Sequence, residues 1–171
     1  MSLADFGSIK IVLRDLLEKN KNDLLSEDYI DIHFNCILEK ISYYLSKEQY
    51  FFLFDWILET IKKENELNQK IIQNNLKEGN DQKRVLDTII MKLHSIHTKI
   101  IEMVIDEIHV SYMDYIDLRN IDEFDLAIQC KISTLGLANS FLLFLTENRH
   151  INEFIFDSYI ELISQTFQVF G

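Results

Sequence analysis

No proline occurs in the 171 residues of this chain, and glycine only at Gly7, Gly79, Gly136 and Gly171. Inside a helix proline costs about 3 kcal/mol and glycine about 1 kcal/mol, so the chain lacks the residues that usually interrupt one. Apolar residues recur instead at three- and four-residue spacing from end to end. The pattern predicts an all-α protein: a single domain over residues 1–171, built as one bundle of about six helices. With 47% apolar residues and 12 phenylalanines, the chain has enough material for a sizeable core.

The spacing places the helices. The first is expected over 8–20, with Ile9, Val12, Leu13, Leu16 and Leu17 on one face. A second runs from an N-cap at Ser26 to about Leu45, and a third opens at Ser46-Lys-Glu-Gln49, a capping-box pattern. Periodicity weakens at Lys62-Lys-Glu-Asn-Glu66, so the third helix either breaks near Asn65 or continues to Gly79, a residue suited to a helix C′ position. A long helix over 82–118, capped by Asn80 or Asp81, carries the seam Leu86, Ile89/Ile90, Leu93, Ile96/His97, Ile100, Val104 and Ile108. That seam is coiled-coil-like and predicts a long antiparallel hairpin around Gly79. Asn120-Ile-Asp-Glu123 reads as a capping box opening the fifth helix. Gly136 inside that helix suggests close approach of a neighbour, and Asn152 is placed to cap the sixth.

Charge narrows the function classes. The net charge is −11, distributed unevenly: residues 62–99 hold eight basic and five acidic groups (+3), and residues 102–171 hold three basic and twelve acidic ones (−9). Binding to nucleic acid or to an anionic membrane needs clustered Lys and Arg, so neither is expected as a partner. Cys36 and Cys130 are far apart and form no CxxC, which suits a reducing compartment. Residues 1–10 include Asp5 and no apolar run, and the longest uncharged stretch, Ile132–Thr146, is shorter than a membrane span. A cytoplasmic protein without a cofactor is expected.

No catalytic signature stands out: there is no glycine-rich phosphate loop, nucleophile elbow or zinc-finger spacing. Two candidate constellations remain. Phe51, Phe52 and Trp56 leave the core stripe of the third helix, and Phe154, Phe167 and Phe170 add to the many-sided apolar surface of the last helix. These helices are either central or present an interaction surface to another protein or to a second copy of the chain. The favoured reading is a non-enzymatic interaction module. It would act as a homodimer or as an acidic inhibitor, immunity-type or regulatory protein steered onto a basic partner. The alternative is a metal-dependent enzyme: Glu102, Asp106 and His109 share one stripe, and Glu147 and His150 repeat the Glu-x-x-His spacing of di-iron bundles. A third reading, mimicry of nucleic acid by an acidic stripe, needs regular carboxylates along one face. His97, on the apolar seam, reads as a hydrogen-bonded core or boundary histidine, and His94 as one polar side chain among several.

Overall fold

The computed structural model describes residues 50–168, together with residues 35, 38, 39 and 41–43. The described residues are 90% helical and none lies in a strand, as an all-α chain requires. Four α-helices and a 3-10 turn make up 50–168. These are α1 (Tyr50–Gln73), α2 (Asp81–Asn120), α3 (Phe124–Glu147), the turn Arg149–Ile151, and α4 (Glu153–Gln168). The expected first helix and the cap at Ser46 lie outside the described residues. Of the expected second helix, residues 35, 38, 39 and 41–43 are described, all helical, with Ile41 buried.

Contacts divide the chain into two compact units, 1–100 and 101–171, with the boundary inside α2. In the first unit, α1 runs unbroken through the polar interval 62–66 and buries Leu53, Trp56, Ile57, Ile61 and Leu67. The first half of α2 buries Leu86, Ile89, Leu93, Ile96 and Ile100 of the expected seam, with Ile89 rather than Ile90 fully inside, and adds Val85. A hydrogen bond between Glu64 and His97, 33 residues apart, requires α2 to fold back along α1, which is the expected hairpin. At 40 residues, α2 is about 60 Å long at 1.5 Å per residue.

The helix ends correct two expectations. Helix α1 stops at Gln73 rather than at Gly79: Asn75 takes the left-handed conformation (φ 50°), Asn75 N–H donates to Ile72 O, and Leu76 N–H donates to Ile71 O. This is a Schellman closure with asparagine at C′. Gly79 (φ 86°) instead holds the third position of a turn closed by Asn80 N–H to Lys77 O, where a type II turn needs positive φ. Asn80 then caps α2, its Oδ1 accepting from Lys83 N–H at 3.1 Å.

The second correction concerns Asn120–Glu123, which does not open a helix as a capping box. Asp122 (φ 62°) sits at C′ of α2, with Asp122 N–H donating to Arg119 O and Glu123 N–H to Leu118 O. Helix α3 begins only at Phe124, with no side-chain cap from Glu123.

In the second unit α3 packs against α4, with the Phe144 and Phe156 rings 6.4 Å apart, and the two helices bury Phe141, Leu145, Phe156, Tyr159 and Ile163. Asn152 caps α4 through Oδ1, as expected. Arg149 in the 3-10 turn holds Asp157 of α4 by two parallel hydrogen bonds, Nε to Oδ1 and Nη2 to Oδ2. The guanidinium keeps the Asp157 carboxyl below its ordinary range. Nearer the start of α3, the Cys130 thiol donates to Ser111 O at 3.2 Å and Lys131 lies over the Tyr115 ring, tying α3 to the end of α2.

Candidate functional site

Within α1 the buried stripe runs Ile57, Ile61, Glu64, Leu67, so a carboxylate occupies a core position. A buried carboxylate must be paired or hydrogen-bonded, because losing its water costs several kcal/mol. The seam of α2 supplies the partner. His97, with no exposed surface, brings Nε2 to 2.7 Å from Glu64 Oε2. One turn earlier His94, with its side chain 54% exposed, places Nδ1 3.3 Å from Glu64 Oε1. The two rings meet edge to face, centroids 4.7 Å apart. Burial holds His97 below the ordinary imidazole range, outweighing the opposing pull of the Glu64 carboxylate. His97 is therefore a neutral imidazole at pH 7, and protonation at Nε2 lets it donate to Glu64.

These three are the only described residues of type His, Cys, Asp or Glu that bring three potential ligand atoms within 4.8 Å of one another. Sequence reasoning placed His97 on the apolar seam as a hydrogen-bonded core or boundary residue but missed the cluster. The missing signal was the continuation of the apolar stripe of α1 through Glu64, hidden by the charged residues around it. The metal-site candidates expected from sequence are not gathered in this way. Glu102, Asp106 and His109 are exposed along α2, Glu147 is exposed at the end of α3, and His150 is exposed in the 3-10 turn.

The aromatic candidates separate. Trp56 is only 4% exposed and Phe52 is half-buried, so α1 is central at Trp56 rather than a surface there. Phe51 lies in α1 and Phe167 in α4, and Phe170 falls outside the described residues. Phe154, at the start of α4, is 86% exposed.

The larger apolar surface lies elsewhere. Among the described residues, ten of the thirteen exposed large apolar side chains fall between Val110 and Leu162. Helix α3 buries one face (Ala127, Thr134, Leu137, Ala138, Phe141, Leu145). Its other face, Ile128, Gln129, Ile132, Ser133, Gly136, Asn139, Ser140, Leu143 and Thr146, is exposed and carries no charge. A Cβ added at Gly136 would meet nothing within 4 Å, so among the described residues none makes the close approach expected there. By length and composition alone α3 could cross a membrane: an 18-residue window has mean hydropathy 1.3, and only 28% of it is buried. Searches against protein-family models, curated proteins and solved structures find no match to this chain.

Proposed function

We propose that this chain is a non-enzymatic docking protein and that the uncharged outer face of α3 is covered by a second, basic protein. The observation that carries the reading is an exposed helix face without charge over 128–146, in a chain where 26% of residues are charged. Exposed Ile128, Ile132 and Leu143 on an uncharged face, rimmed by charge, are the composition of a contact site. The occupant follows from charge. Asp125 and Glu147 stand exposed at the two ends of the face, and residues 102–171 carry −9. A second copy laid antiparallel would set Asp125 against Glu147, and laid parallel would set like against like. A partner with Lys and Arg around an apolar strip meets attraction instead, which raises the encounter rate as well as the specificity. A cytoplasmic location suits such a partner and the acidic rim.

A photo-crosslinking residue at Leu143, with a control at Asn74, tests the reading in the cells that make the protein. The expected adduct is one basic protein, captured from position 143 alone and lost in the Ile132→Asp and Gly136→Leu variants. Adducts with a second copy, adducts with lipid, or adducts unaffected by those substitutions each overturn it.

A further inference from the structure

We propose that Glu64, His94 and His97 form a binding site for a divalent transition metal, Zn²⁺ foremost, that clasps α1 to the first half of α2. The donor set comes from two elements: a His-x-x-His pair on one face of α2 and a carboxylate from the facing stripe of α1. Two imidazole nitrogens and one carboxylate oxygen suit Zn²⁺ and its neighbours, whereas Ca²⁺ and Mg²⁺ ask for oxygen throughout. Zinc bonds of about 2.0–2.2 Å in a tetrahedron set donor atoms about 3.3 Å apart. Here His94 Nδ1 is 3.3 Å from Glu64 Oε1, His97 Nε2 is 2.7 Å from Oε2, and no pair of donor atoms exceeds 4.8 Å. Rotamer adjustments of about an ångström or so close the difference, within the ordinary range of side-chain torsions.

The surroundings favour an ion as well as the donors. Glu64 is buried, so the attraction of its carboxylate for a cation is little screened. Metal binding at His97 Nε2 would place the ring proton on Nδ1, the tautomer that leaves the Nε2 lone pair free to coordinate. His94 lies at the solvent edge, which gives the ion a way in and leaves a fourth position facing water. This inference rests on α1 and α2 and is independent of the docking reading of α3.

The test uses the full chain without an added histidine tag, stripped of metal and titrated with Zn²⁺ by calorimetry and with Co²⁺ by visible absorption. The expected result is one ion per chain, tetrahedral Co²⁺ bands displaced by Zn²⁺, and a raised melting temperature. His94→Ala, at an exposed position, should melt like the parent without metal yet bind at least about tenfold more weakly, as loss of a ligand demands. Glu64→Gln should lose binding as well; should it fail to fold, His94→Ala decides alone. His109→Ala and His150→Ala should bind as the parent does. Absence of saturable binding by the parent, unchanged affinity in His94→Ala, or loss of binding in His109→Ala overturns the proposal.

Discussion

Glu64 holds a position that its neighbours on the stripe, Ile61 and Leu67, fill with hydrocarbon, and this makes His97 a structural necessity. Removing His97 leaves a buried carboxylate short of its closest partner, a class of change that costs about 3–5 kcal/mol. His97→Ala should therefore unfold at markedly lower denaturant than the parent, which equilibrium urea unfolding measures. The same pair makes stability depend on pH. In the folded chain His97 titrates below its ordinary value of 6.5 because burial disfavours the imidazolium. Below pH 6.5 the unfolded chain thus binds more protons than the folded one, and stability falls with pH toward the folded-state value. Above 6.5 the contribution is complete. Melting temperatures from pH 8 to pH 5 should show this decline in the parent, and a flatter profile in His97→Gln. An equal slope in both would place the titrating group elsewhere.

At the scale of the element, two helices end on left-handed Asn75 and Asp122 rather than on glycine. Asn and Asp tolerate this conformation, whereas a β-branched residue meets a penalty of about 1–2 kcal/mol. Asp122→Val should lose about that much in urea unfolding, and Asp122→Gly should be tolerated. The long seam of α2 was legible in the sequence because its spacing from Leu86 to Ile108, about six turns at 3.6 residues per turn, accumulates into one signal. The ends were not legible, because a few residues decide them. Asn120-Ile-Asp-Glu123 satisfies the pattern of a helix start and also the requirements of a helix stop. Burial was partly legible for a related reason. Helix α1 is apolar on several sides, and only its packing shows that Trp56 points inward. Gly136 carries a further expectation: exposed and with open space beside it, it weakens α3 by about 0.5–1 kcal/mol relative to alanine. Gly136→Ala should raise stability by that amount in the isolated chain. A loss instead would reveal a contact made at that point.

Taken as a whole molecule, the chain sets an uncharged α3 face inside a region of charge −9, and these two properties oppose each other in self-association. Burial of the apolar face draws copies together at about 25 cal/mol per Å² of covered surface. Repulsion between like acidic rims keeps them apart, and acts over a Debye length of about 8 Å at physiological salt. In 1 M NaCl that length shrinks to about 3 Å, while apolar contact does not weaken. Sedimentation should then show a monomer at low salt and weak self-association at 1 M NaCl. Ile132→Lys and Leu143→Lys should suppress that association, because either puts a charge in the middle of the face. A dimer equally stable at both salt concentrations would mean that the acidic rim does not choose the partner, and the case for a basic protein over a second copy would fall. A monomer throughout would mean that the face needs an attractive rim as well as an apolar centre, which only a basic partner supplies.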